Sequence, residues 1–126
     1  MKCGVNKKIK NACPKEFNGI LYRSTLEARV ARYLTEHNIE FKYEPFRITL
    51  LDSIRYDNKL FRAVHYTPDF ICKDYIIEVK GFPNDQWALK KKLIIHLINE
   101  GKINYRFREV HNIRELESVI NELTRD

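Results

Sequence analysis

Glycine and proline are scarce in this 126-residue chain, four of each, and there is one methionine and one tryptophan. The few breakers punctuate elements instead of forming linkers, and neither a low-complexity tract nor an internal repeat is present. Three cysteines, Cys3, Cys13 and Cys72, make an odd number without a Cys-x-x-Cys pair. That argues against a structural zinc site and for reduced thiols in a cytoplasmic setting. No apolar run approaches the ~20 residues of a membrane span; the longest cluster, Leu93 to Ile98, is broken by His96. The first residues, Met-Lys-Cys-Gly-Val-Asn-Lys-Lys, carry no apolar signal-peptide core. There is no phosphate-cradling glycine-rich loop and no Gly-x-Ser-x-Gly element, and His37, His96 and His111 lack metal-ligand spacing.

What is present is charge. Charged residues make up 32% of the chain, the apolar share is 44%, and the formal net charge is +6 with a pI near 9.3. The apolar share excludes a disordered chain, and the length suits one domain with its own core. A small folded cation favours a polyanion, nucleic acid first, because lysine and arginine replace the counterions of a phosphate backbone. The expected organisation is a single domain over 1–126, with 1–15 as a basic, mobile arm.

Asn18-Gly19 predicts a tight hairpin over Glu16 to Tyr22, since both turn positions need positive φ. Ser24 predicts a helix start, with Leu26, Val30, Ala31 and Leu34 on one face and an end near His37-Asn38. Ile39, Phe41 and Tyr43 alternate with charged residues as in a half-buried strand, and Phe46 to Leu51 reads as a second one. Asp57-Asn58 marks a turn, and Leu60 to Phe70 reads as extended. Asp74 turns the chain into the strand Tyr75 to Lys80. Asn84 or Asp85 caps a second helix with Leu89, Leu93, Ile94, Leu97 and Ile98 inward, closed by Gly101. Ile103 to Val110 is expected as a strand, and Asn112 with Glu115 as the start of a last helix. The expected fold is α/β, a mixed sheet flanked by helices in the order β-α-ββββ-α-β-α.

One constellation carries chemistry. Alternation puts Glu78 and Lys80 on the same face of an otherwise apolar strand. The turn at Lys73-Asp74 folds Asp69 back beside Glu78. Two such carboxylates repel each other unless a cation lies between them, and oxygen donors suit Mg²⁺, with Mn²⁺ as a substitute.

Pro68-Asp69 with Glu78-Val79-Lys80 resembles the PD-(D/E)xK nuclease signature. The runs Tyr66 to Phe70 and Glu78 to Gly81 resemble the phage endonuclease I Holliday-junction resolvases in particular. Tyr22-Arg23-Ser24-Thr25-Leu26-Glu27 and Phe41-Lys42-Tyr43-Glu44 fit the same pattern. The Asn-Gly hairpin and the long 46–66 segment are also similar to other small phage nucleases. The likeness covers about residues 16–110, and the residues after Val110 depart from it. It implies a restriction-endonuclease-like sheet and Mg²⁺-dependent hydrolysis of DNA phosphodiesters, with branched DNA as the substrate and a homodimer as the assembly. It implies catalytic roles for Glu27, Asp69, Glu78 and Lys80. It makes Asp69, Glu78, the Val79 carbonyl and Glu27 the metal ligands, with Lys80 orienting water or steadying the transition state.

Several residues keep two readings. Glu27 is also three positions after Ser24, the spacing of a capping box that returns a bond to the Ser24 backbone N–H. Arg23, Lys90, Lys91, Lys92, Arg106 and Arg108 are candidate DNA contacts, yet three successive helical lysines also make an ordinary solvated face. Trp87 suits a core anchor or a base-stacking platform, and His65 a half-buried strand position. The alternative function is a nuclease-fold DNA-binding module or subunit without catalysis.

Overall fold

Asn18 and Gly19 hold φ of 52° and 78°, the left-handed backbone that a two-residue hairpin turn with the right twist demands. They join β1 (Lys15–Phe17) to β2 (Ile20–Tyr22) as the sequence predicts. The computed structural model describes residues 15–81 and 84–125. The expected 1–15 arm lies outside the described residues except for Lys15, as do Cys3 and Cys13. Ser24 Oγ accepts the Glu27 N–H and starts α1 (Thr25–Glu36), a cap that satisfies one orphan donor of the first turn. Val30, Ala31 and Leu34 are fully buried along one stripe, and Asn38, at φ 56°, ends the turn after His37.

The central sheet has four strands: β3 (Lys42–Tyr43), β8 (Phe70–Cys72), β9 (Tyr75–Val79) and β10 (Arg106–Val110), in the spatial order β10-β9-β8-β3. It is mixed: β10 runs parallel to β9, while β9–β8 and β8–β3 are antiparallel. All five residues of β9 are buried, which is why it reads as an almost unbroken apolar run; both faces of a central strand are covered. On one face Tyr75, Ile77, Val79 and Val110 pack with α1 and with Leu116, Val119, Ile120 and Leu123 of α3 (Ile113–Thr124). On the other, Ile71, Ile76 and Phe107 pack with Trp87 and Ile94 of α2 (Asp85–Asn99). Cys72 is a buried free thiol, pushed up to about 12 by burial, so it acts as a small apolar side chain.

The segment between β3 and β8 folds as two successive two-stranded ribbons. β4 (Ile48–Leu51) pairs with β7 (Val64–Tyr66) across a bulge, and β5 (Ile54–Tyr56) pairs with β6 (Lys59–Phe61) around Asp57-Asn58, both at positive φ. The α/β class and the three helices agree with the sequence reading. The strand order does not: among the described residues two strands precede α1, seven lie between α1 and α2 and one follows α2, and the ten form four separate sheets. The expected extended run from Leu60 to Phe70 is broken into β6, β7 and β8, because each piece pairs with a different partner. The strand expected from Ile103 starts at Arg106. Leu89 is not inward but 63% exposed. It sits about 200° round the helix from Trp87, which takes the core position instead. Among the described residues no helix is long and apolar enough to cross a membrane.

Candidate active site at the ends of β8 and β9

The β8–β9 register sets Phe70 opposite Ile77. One step further places Asp69 opposite Glu78, as the tight turn at Lys73, φ 53°, requires. Phe70 and Ile77 belong to the α1–α3 core, so alternation turns Asp69 and Glu78 to the α2 side. Both carboxyls are buried, Asp69 at 8% and Glu78 at 4% exposure. Asp69 Oδ2 accepts the Val79 N–H at 2.8 Å. Glu78 Oε1 accepts the Tyr66 hydroxyl at 2.6 Å, and its Oε2 lies 3.3 Å from Lys80 Nζ.

Burial is the largest cause pushing the Asp69 carboxyl well above the carboxylate range, followed by the negative charges of Glu78 and Glu27. Burial also pushes Glu78 up, against the pull of the Tyr66 hydroxyl and Lys80. Burial and then Glu78 push the Tyr66 phenol up, so it stays a proton donor. Two carboxyls in this setting hold both charges at neutral pH only with added positive charge beside them.

Glu27 enters from the α1 layer. Its Oε1 accepts the Tyr43 hydroxyl and, at 3.2 Å, the Arg23 backbone N–H. The expected return bond of the capping box goes to Arg23, one residue before Ser24. Glu27 therefore caps the helix in modified form and still lines the pocket. That pocket is an open cavity of about 380 Å³, walled by the acids Glu27, Asp69 and Glu78 and by Tyr66, His65 and Trp87. Arg23, Lys80 and Lys90 supply cations on the same wall. His65 is half-buried, as expected, with Nδ1 3.2 Å from Thr49 Oγ1.

Among the described residues no three His, Cys, Asp or Glu side chains are drawn together closely enough to hold an ion by themselves. With Glu27 engaged by Tyr43 and Arg23, the acids that converge are Asp69 and Glu78. The Val79 N–H points to Asp69, and in a strand the carbonyl of the same residue leaves on the same side, beyond the start of β8. Two carboxylates and a backbone carbonyl form an all-oxygen set. It fits a hard divalent cation that keeps several waters, and the cation would relieve the repulsion between the buried acids.

The candidate phosphate contacts separate. Arg23 and Lys90 line the pocket. Arg23 also pairs with Glu44 at 2.9 Å. Lys91 turns to Glu109 at 2.9 Å, and Lys92 is exposed outside the pocket wall. Arg106 and Arg108 do share one face of β10, but it is the face away from Glu78. Arg108 pairs with Glu122 of α3, and the Arg106 guanidinium lies 5.8 Å from the centre of the Tyr75 ring.

Two neighbours, Tyr66 and Glu109, were not assigned a role from sequence, and a third, Trp87, takes the core-anchor position of its two readings. Tyr66 holds Glu78. Glu109 stands next to Glu78 across the parallel β9–β10 pair and accepts the Trp87 indole N–H at 3.1 Å. Trp87, buried in the α2 core, stands under the Lys80 ammonium, which is 4.5 Å from the ring centre. Tyr66 directly precedes the Thr67-Pro68-Asp69 run, a position that alternation alone places on a strand. Glu109 has no local signal, because its place depends on which strand β10 joins. Among known proteins no family model, no curated sequence and no solved structure matches this chain.

Proposed function

We propose that the chain is a metal-dependent endodeoxyribonuclease of the PD-(D/E)xK type, and that the pocket around Asp69, Glu78 and Lys80 hydrolyses a DNA phosphodiester. One observation carries this reading: two buried carboxyls, pressed side by side by strand register, share a pocket with Lys80, Arg23 and Lys90. A structural role alone would not favour burying two acids together, because the charge costs folding energy. A phosphodiesterase needs that arrangement, with cations for the backbone and carboxylates for Mg²⁺ or Mn²⁺.

Asp69, Glu78 and the Val79 carbonyl would hold the ion. Once bound, such an ion makes water a better nucleophile at neutral pH and offsets charge on the phosphate. Tyr66 fixes the rotamer of Glu78 through its hydroxyl. Lys80, already beside Glu78, supplies a positive charge where negative charge grows in the transition state, and it orients the attacking water. Glu27 shapes the mouth of the pocket from α1. Arg23 and Lys90 take the flanking phosphates. Branched DNA as substrate, a pair of chains for paired cuts and a cytoplasmic site of action extend this reading through the resemblance. The inert-module alternative is disfavoured by the presence of all four acid and lysine positions.

The test is direct. The protein is incubated with linear duplex, single-stranded, nicked and four-way-junction DNA in Mg²⁺, Mn²⁺ or EDTA. Cleavage that needs the metal and disappears in Asp69→Asn, Glu78→Gln and Lys80→Ala is expected. Binding without cleavage under every metal, or undiminished cleavage by Asp69→Asn, would falsify the assignment.

A further inference from the structure

Residues 46–66 leave the sheet as a two-stage ribbon. Its root is β4 on β7, and β7 carries His65 and Tyr66 of the pocket wall. Its outer half is β5 on β6, and among the described residues neither of these strands pairs with any other. Opposed residues share a face of a ribbon, so Ile54, Tyr56, Lys59 and Phe61 form one face and Arg55 and Leu60 the other. The first face is largely apolar yet open to solvent, with Tyr56 70%, Ile54 52% and Phe61 48% exposed. A lone two-stranded ribbon is marginal in water, and an open apolar patch of this kind marks a contact surface.

Charge selects the occupant. Arg47, Arg55, Lys59 and Arg62 outnumber Asp52 and Asp57 along this segment. Lys59 Nζ stands 5.9 Å from the centre of the Phe61 ring, so cations and aromatic groups are interleaved. A second copy would set one positive ribbon of a +6 chain against another. Phosphates complement the cations, and unstacked bases complement exposed aromatic and aliphatic side chains.

We propose that this ribbon is a DNA-binding arm whose basic side chains take phosphates while Ile54, Tyr56 and Phe61 pack on bases unstacked at a bend, gap or branch. The inference rests on the nuclease reading of the pocket and names its substrate class, DNA with opened stacking near the cut. At about 3.3 Å per residue, the seven steps from His65 to Asn58 reach up to about 23 Å. That is about six or seven phosphates along one strand at 3.4 Å each.

The test measures binding without chemistry. The full chain is titrated in EDTA against fluorescein-labelled intact duplex, gapped duplex and four-way junction, the gapped and branched forms also made with 2-aminopurine at the opened step. Y56A/F61A is expected to lose about five- to a hundred-fold affinity for gapped and branched DNA and the 2-aminopurine signal, with little change on intact duplex. R55A/K59A/R62A is expected to bind all three more weakly, with a salt slope shallower by about 2–3. The substituted side chains lie on the open ribbon, and the two variants probe separate chemistries. Affinities within twofold of wild type for both would overturn the arm. So would a dimer in sedimentation that Y56A/F61A dissociates while DNA affinity per chain is unchanged; that result assigns the face to a second copy. Asp69→Asn runs in parallel: if it still cleaves, the pocket reading fails while the binding result stands, and the converse pattern removes only the arm.

Discussion

The Lys80 ammonium stands 4.5 Å from the centre of the Trp87 ring. Trp87 is itself pinned by its indole N–H to Glu109, and Glu109 by Lys91. A lysine with four rotatable bonds is thereby held over Glu78 by a chain of fixed groups. The attraction of an ammonium to an indole face is worth about 0.5–2 kcal/mol, enough to bias the rotamer of Lys80. Trp87→Phe keeps a ring but weakens the attraction and removes the N–H. Single-turnover cleavage is expected to slow by about three- to tenfold, with the Mg²⁺ midpoint unchanged, as suits a positioning residue. An unaltered rate would show that Lys80 finds its place without the indole.

Asp69 and Glu78 are expected to shape the pH response of the protein in EDTA. Both carboxyls are pushed up by burial. A group whose folded value exceeds its unfolded one adds stability below the ordinary carboxylate range, and loses it as pH rises through the raised value. The melting temperature in EDTA is therefore expected to fall from about pH 5 toward pH 8 on this account, and divalent ions to restore it. Asp69→Asn keeps an oxygen for the Val79 N–H and removes the charge. It is expected to flatten that slope and to stabilise the metal-free protein at pH 7.5 by on the order of 1–2 kcal/mol, a few degrees. Cleavage should be lost at the same time. Calorimetry across pH decides it; a destabilised Asp69→Asn would mean that the carboxylate is held charged by partners in the fold.

The parts of this arrangement that depend on neighbours in sequence were legible. Asn18-Gly19, the Ser24 cap and the α1 stripe follow from local chemistry. So does the Asp69–Glu78 juxtaposition, since a two-residue turn at Lys73-Asp74 leaves one register that keeps Phe70 and Ile77 in the same core. Alternation also shows that Arg106 and Arg108 share a face. It does not show which face, because that depends on β10 joining β9 in parallel with Glu109, not Arg108, beside Glu78. Long-range pairing likewise divides the 46–72 segment, where local signals mark only the turn at Asp57-Asn58, into strands of three different sheets. Leu89 was misplaced because the apolar stripe of α2 follows Trp87 and Ile94.

The basic residues divide into two classes with different expected effects. Arg23 and Lys90 line the pocket, so Arg23→Ala and Lys90→Ala should weaken DNA binding and each reduce the salt slope by about 1. Arg106 and Arg108 lie across the sheet against Tyr75 and Glu122. Arg106→Ala and Arg108→Ala should leave the salt slope as it is, with Arg108→Ala loosening the α3 contact instead. Fluorescence anisotropy at several salt concentrations separates the two classes. An equal loss of slope for all four would mean that DNA reaches both faces of the sheet.

Tyr66 offers the cleanest single-atom test of the metal assignment. Its hydroxyl donates to Glu78 Oε1 at 2.6 Å, while its ring packs near Trp87. Tyr66→Phe preserves the ring and deletes the donor. The O–H helps hold Glu78 in its charged form, so without it Glu78 is pushed further toward the protonated state, which cannot serve as a full ligand. Groups that orient a metal-binding carboxylate typically contribute 10–100-fold to metal affinity. The Mg²⁺ concentration for half-maximal cleavage is expected to rise by about that factor, with much of the rate recovered at saturating Mg²⁺. Because the volume is conserved, the melting temperature should move little. A Tyr66→Phe variant with an unchanged Mg²⁺ midpoint would remove Glu78 from the proposed metal site, even if the rate fell.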